Sequence, residues 1–192
     1  MEAARQEFLT LGFADASMRR IAAAAGMSAA SLYKHFSSKE EMLAALVEPA
    51  FQKLMSLYRR EEASELEALR EGVITQKWEE GGDARLVMAC IYDHLDAFRL
   101  LICKAQGTRY ESFLHDMAAE EEKTTMAMMS LLRAKGKPIH EVDSKEFHLL
   151  VSANVNAVFQ AVEHDFTREE ALRYADTLDR FFARGWQEFF GY

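Results

Sequence analysis

The side chains best suited to chemistry are six histidines and two cysteines, and none falls in a spacing that builds a metal or catalytic site. A di-iron site in a helical bundle needs Glu-x-x-His pairs. The residues three places before His35, His94, His115, His140, His148 and His164 are Leu32, Ile91, Ser112, Lys137, Lys145 and Ala161. HExxH and Cys-x-x-Cys spacings are absent, as are glycine-rich phosphate loops and the Gly-x-Ser-x-Gly elbow. Glu120, Glu121 and Glu122 read as a solvated face. No nucleophile has a plausible base, so no enzyme, metal or cofactor is expected.

The remaining chemistry is hydrogen bonding to a partner, and it concentrates in "AAAAGMSAASLYKHFSSKEEML" at 22–43. A helix over 17–24 presents Ile21 and Ala25 on one face. Gly26 can take positive φ, which suits a helix C-cap. Met27 points back as an apolar plug, and Ser28 caps a second helix over 28–35. Leu32 and Phe36, four apart, form its buried side. Two short helices around a tight glycine turn make a helix-turn-helix. The outer face of the second helix then offers Ala29, Ala30, Ser31, Tyr33 and Lys34.

These elements sit in an all-α chain. Its 192 residues are 49% hydrophobic, with apolar positions repeating at three and four and only two prolines and nine glycines. Capping boxes are expected where Ser38 precedes Glu41, Ser64 Glu67, Thr108 Glu111 and Thr167 Glu170, with a weaker version at Asp143 and Glu146. The pattern predicts helices at 2–11, 17–24, 28–35, 38–60, 64–79, 83–105, 108–135, 144–164 and 167–190. "EGGD" at 80–83 and "KGKPIHEVD" at 135–143 read as loops. Pro49 either kinks the fourth helix or marks a break near a domain boundary.

Net charge is −8, but Arg5, Arg19, Arg20, Lys34 and Lys39 nearly balance six carboxylates within residues 1–48. The N-terminal quarter is close to neutral and the rest is acidic, so any nucleic-acid contact must be local and N-terminal. Two cysteines in a chain this long suggest a reducing compartment. No segment approaches the roughly 20 apolar residues that cross a bilayer. "MRRIAAAAGMSAA" only mimics a signal peptide, and a cytoplasmic protein is expected.

Residues 3–46 resemble the DNA-binding domain of the TetR family of transcriptional regulators. The likeness is carried by "AARQEFLTLGF" with its Gly12-Phe13 corner, and by "SMRRIAAAAGMSAASLYKHFSSKEEML" with Ile21-Ala22, Ala25-Gly26, Leu32-Tyr33, His35-Phe36 and Lys39-Glu40. The resemblance implies that the second helix enters the major groove. It implies that Tyr33 and Lys39 touch backbone phosphate. A helix N-terminus favours phosphate as well. Ser17, Arg19 and Arg20 at the first helix start, and Ser28, Ala29, Ala30, Ser31, Lys34 and His35 on the second, are the other candidate contacts. Ala29 and Ala30 can only pack on thymine methyls or sugars, so base readout is thin. Two departures stand out. Arg20 replaces the family's usual acidic residue, and helix 1 begins almost at Met1, so that it is short or the true start lies upstream.

The resemblance makes 1–48 the DNA-binding domain and 49–192 a bundle that binds a ligand and dimerises. In 167–190, Ala171, Ala175, Leu178, Phe182, Gly185 and Phe189 form a coiled-coil-like seam, with Phe181, Trp186 and Phe190 on a second apolar face. The helix before it is apolar nearly all round. Both could pair with a second copy in a four-helix interface, or bury within one chain. Trp78, Met88, Tyr92, Phe98, Tyr110, Phe113, Met117, Met126, Met129 and Asn154 could line a ligand cavity, although each apolar one could equally be ordinary core.

The expected function is a cytoplasmic homodimeric repressor on a palindromic double-stranded operator, released by an unidentified small molecule. A DNA-binding regulator without a ligand stays open beside it. So does a TetR-like helical adaptor that has lost DNA binding.

Overall fold

The computed structural model describes residues 1–71 and 83–191, which are helical and contain no strand. The elements are α1 Glu2–Asp15, α2 Met18–Ala24, α3 Ala29–Tyr33, α4 Lys39–Glu71, α5 Ala84–Asp93 and α6 Leu95–Arg99. A π-helical turn Leu100–Lys104 follows, then α7 Phe113–Ala134, α8 Ser144–Glu163 and α9 Arg168–Phe190. They form two compact units. The first holds Met1–Lys53 with Asp93–Phe113, and the second holds Leu54–Tyr92 with Leu114–Tyr192. The first unit thus reaches past residue 48 and recruits a segment from the middle of the chain.

In the first unit Phe8, Ile21, Ala22, Leu32, Met42 and Leu43 are among the residues that form the core. Phe36 is only half-buried and Ala25 is exposed, because α3 stops at Tyr33 and α2 at Ala24. Tyr110 donates its hydroxyl to Glu48 at 2.8 Å and accepts from Arg109 at 2.7 Å. Phe113 packs edge-on against Phe51, with centroids 5.9 Å apart. These contacts fasten 93–113 to the first half of α4.

Several boundaries differ from the sequence pattern. α4 runs unbroken through Ser64 to Glu71. "EEASELEALRE" is almost entirely strong helix former, so one serine is too weak an interruption, and the Ser64–Glu67 pair is merely two neighbours on a continuous helix. The rest of the helix expected to 79, with Gly81 and Gly82 of the expected loop, lies outside the described residues. Pro49 sits within α4 without ending it. The helix expected over 83–105 breaks at His94, whose φ of −133° and ψ of 37° are not helical.

The helix expected from Thr108 starts only at Phe113. Thr108 donates to the Ala105 carbonyl at 2.6 Å, and Glu111 accepts from the Gly107 N–H at 3.0 Å. The capping residues therefore build a turn. Ser38 caps α4 by accepting from the Glu41 N–H at 3.0 Å, but the Glu41 carboxylate turns to Ser37 instead of closing the box. Thr167 and Glu170 form the full capping box, and Asp143 accepts from the N–H groups of Lys145 and Glu146.

α1 contains a sharp corner at Gly12, where φ is 77° and ψ is 172°. That region of backbone space is essentially reserved for glycine. The nearest atom to a hypothetical Cβ there is 3.9 Å away, so the obstacle to a side chain is the backbone and not crowding. Gly12→Ala is expected to cost about 1–3 kcal/mol of stability, read as a lower urea midpoint with an unchanged slope.

Candidate nucleic-acid interface and ligand cavity

α2 and α3 have seven and five residues. Helices that short do not hold themselves. Ser28 steadies α3 by accepting from the Ser31 N–H at 3.1 Å, while Leu32 anchors it in the core. Gly26, at φ 67°, makes the turn between them. A single turn of helix has little macrodipole, so attraction to phosphate must come from side chains.

The four basic side chains across this stretch divide into two pairs. Arg19 and Lys34 are exposed and make no hydrogen bond or ion pair among the described residues. Arg20 is engaged: its Nε donates to Glu7 at 2.7 Å and its Nη2 to the Asp15 carbonyl. Glu7 also accepts from the Ser17 N–H at 3.0 Å. Ser17 therefore precedes α2 without a side-chain cap bond of its own. Lys39 donates to the carbonyls of Ala14 at 2.9 Å and Ala16 at 3.1 Å, and sits 4.4 Å from the Phe13 ring centre.

Tyr33 is 51% exposed. Lys34 and His35 beside it are also exposed, and none of the three side chains has a protein partner among the described residues. Ala30 is exposed, and Ala29 and Ser31 are half-buried. The end of the second helix and the two residues after it thus present a phenol, an ammonium and an imidazole beside a neutral, mostly alanine surface. Such groups can hold phosphates and offer few bonds to base edges.

The second unit contains a cavity of about 250 Å³. Asn154 and Met129 line it. Met88, Tyr92, Met117 and Met126 do not, and Phe98, Tyr110 and Phe113 belong to the first unit. Met88 and Met117 are buried in the core. The Tyr92 hydroxyl is engaged with the carbonyls of Ala161 at 3.1 Å and Phe166 at 2.9 Å. Trp78 lies outside the described residues. Tyr58, Glu62, Asp179 and Trp186 line the cavity and were not expected there as ligand contacts. Their signal was present: Tyr58, Glu62 and Glu65 share a face of α4 at helical spacing, and Asp179 directly follows Leu178 on the inner side of α9.

The seam expected on α9 largely faces inward. Ala171 and Ala175 are 0% exposed and Leu178 is 7% exposed. Gly185 alone of the six is exposed, and Phe182 and Phe189 are half-buried. The large apolar side chains left outside are Phe181 on α9 and Leu149 and Leu150 on α8.

The Asp179 carboxyl is pushed up to about 6 from 3.8, first by burial and then by Asp83 and Asp176, against the N–H groups of Ala84 and Arg85. Burial, followed by the charges of Glu121 and Asp83 and by Cys90, also holds the Tyr58 hydroxyl well above the ordinary tyrosine range.

These features define a helix-turn-helix DNA-binding head carried on a helical chain with its own cavity. Residues 1–46 match the model of the bacterial regulatory proteins of the tetR family. Two solved structures share the fold across the chain. A TetR-like transcriptional regulator from Rhodococcus sp. RHA1 is 20% identical at a TM-score of 0.55, covering 96% of this chain and 93% of that one. The TetR family transcriptional regulator PfmR from Thermus thermophilus is 24% identical at a TM-score of 0.55, covering 93% of this chain and 96% of that one. No curated protein matches the chain. Among the described residues no helix is long and apolar enough to cross a membrane.

Between its unfolded and folded pKa values, Asp179 holds a proton in the folded chain that the unfolded chain has released. Its contribution to stability is therefore present at low pH and lost as pH rises through about 6. Asp179→Asn keeps an acceptor for the Ala84 N–H and cannot ionise. By calorimetry it is expected to melt above the wild type at about pH 8, and by a smaller margin at about pH 5.

Proposed function

We propose that the chain is a cytoplasmic homodimeric repressor that leaves a palindromic operator when a small molecule fills the second unit's cavity. The observation that carries the DNA-binding part is the exposed, unpartnered set Tyr33, Lys34 and His35 at the end of the second helix of the motif and just after it, with Arg19 at the start of the first. Tyr33 and Lys34 would hold phosphate, and α3 would enter the major groove. Ser28, Ala29, Ala30 and Ser31 would pack close to the duplex. Arg20 and Lys39 would act mainly by shaping the head, and the remaining donor of Lys39 could still reach a phosphate.

The exposed Leu149, Leu150 and Phe181 favour a second copy as the partner of α8 and α9. A two-fold protein reads two half-sites, so dimerisation and operator binding support each other. Ligand and operator would each prefer a different spacing of the two heads and so oppose one another. A nearly complete swing requires a differential of about 5 kcal/mol.

A second reading has its own support. The head's charges nearly balance, and two of the four basic groups at the motif are engaged internally. An adaptor that keeps the fold without DNA binding would look similar.

Gel-shift titration against the DNA upstream of the chain's own gene separates the two. The expected result is binding that weakens steeply with salt, with the salt slope reduced by about 1 in Lys34→Ala. Tyr33→Ala should weaken binding on any fragment. Affinity unchanged by both substitutions removes the phosphate assignment, and no binding at low salt favours the adaptor. In sedimentation at micromolar concentration the wild type is expected as a dimer, and Leu149→Asp with Phe181→Asp as a monomer.

A further inference from the structure

The two N-caps Thr167 and Ser17 are satisfied in different ways. Three residues after Thr167 stands Glu170, and the Thr167 N–H donates to that carboxylate at 2.8 Å. Three residues after Ser17, the N-cap of α2, stands Arg20. A guanidinium has donors only and cannot accept the Ser17 N–H. A partly buried N–H left without an acceptor is destabilising. Here a carboxylate from another helix takes it up: Glu7 of α1 accepts from the Ser17 N–H at 3.0 Å.

The same oxygen, Oε1 of Glu7, also accepts from the Arg20 Nε at 2.7 Å. Arg20 in turn donates through Nη2 to the carbonyl of Asp15, the last residue of α1. The pair thus closes a ring of bonds around the corner between α1 and α2. The Ser17 hydroxyl makes no capping bond of its own, so the corner depends on Glu7. The Glu7 side chain is 15% exposed, against 54% for Arg20. Withdrawal from water strengthens the bonds that the carboxylate accepts, and the bond to a guanidinium is roughly twice as strong as a neutral one.

The reading face hangs on this corner. α3 follows α2 directly, with the Met27 N–H donating to the Ala22 carbonyl at 2.9 Å and Gly26 making the turn. Neither helix is long enough to hold its own course. The direction in which Arg19, Tyr33, Lys34 and His35 point is therefore set in part where α2 begins.

We propose that Glu7 is a positioning residue of the reading head: it serves as the capping carboxylate that α2 lacks, and through Ser17 and Arg20 it fixes how the head's exposed groups meet DNA. The proposal rests on reading that face as DNA-binding. Arg20 is then a strut whose charge is matched by Glu7 and not by a phosphate. The alternative is a screened cation, in which Glu7 merely masks an arginine that would otherwise touch the duplex. The two predict opposite signs. Removing Glu7 frees a screened cation and tightens binding, whereas removing it from a strut weakens binding even though the chain becomes less acidic.

The test titrates Glu7→Ala and the isosteric Glu7→Gln on a DNA fragment that the wild type retains. Glu7→Ala is expected to bind about fivefold more weakly at an unchanged salt slope, and Glu7→Gln to lose less. Adding Arg20→Glu to Glu7→Ala places a carboxylate three residues after Ser17, and binding should recover to within about twofold of the wild type. In the single and the double variant alike, the change in charge opposes the expected change in affinity. Tighter binding by Glu7→Ala with a salt slope raised by about 1 overturns the proposal. So does unchanged affinity, or a double variant no better than Glu7→Ala. Melting curves establish that each variant is folded, and Glu7→Gln carries the test if Glu7→Ala is not. A wild type that retains no DNA ends the DNA-binding reading by itself, and amide exchange then scores the clamp. The Ser17 N–H should exchange about tenfold faster in Glu7→Ala and regain protection in the double variant. Equal exchange in the wild type and Glu7→Ala overturns the clamp.

Discussion

A lysine ammonium resting on two carbonyls holds the head in shape. The Lys39 Nζ reaches from the start of α4 to the backbone of Ala14 and Ala16, across the ring of Phe13. α2 and α3 are too short to persist alone, so their placement depends on this link, on the Gly12 corner and on buried anchors such as Ile21 and Leu32. On the other side, Glu7 gathers Ser17 and Arg20. The same economy explains the electrostatics: cations that look available in the sequence are partly structural, and the groups left for a partner are Arg19 on α2 and those on and just after α3.

The second unit solves a different problem. α9 turns small residues inward, with Ala171 and Ala175 fully buried, and leaves Phe181 outside. Lower down, Phe182, Trp186 and Phe190 open onto the cavity instead of closing it. One helix therefore carries core, cavity wall and outer surface on different faces. A ligand pressing on Trp186 would act on the same rod that carries Phe181, which would give a direct physical route from the cavity to a partner on that outer surface.

Local signals were legible wherever one short stretch determined the outcome. The Gly26 turn, the Ser28 cap, the Thr167–Glu170 box and the loop at 135–143 all lie where residue types alone place them. What could not be read was decided by contacts between distant residues. The break at His94 and the late start of α7 accompany the contacts that fasten 93–113 to α4, which no local pattern encodes. Apolar periodicity on α9 showed a face without saying whether a neighbour in the same chain or a second chain would cover it. For the cavity, aromatic and methionine content pointed to Phe98, Tyr110 and Phe113, which the fold uses as bracing in the first unit. Of the acidic side chains that do line the cavity, Glu121 read in sequence as part of a solvated face.

The proposed function requires a sequence-selective grip on duplex DNA by paired heads. Selection of fragments from the source genome by the purified wild-type chain at about 0.1 M salt tests it most directly. A small set sharing an inverted repeat is predicted, with half-sites about 10 base pairs or a multiple apart. Recovery of no fragment above background, or of fragments with no common repeat, would contradict it.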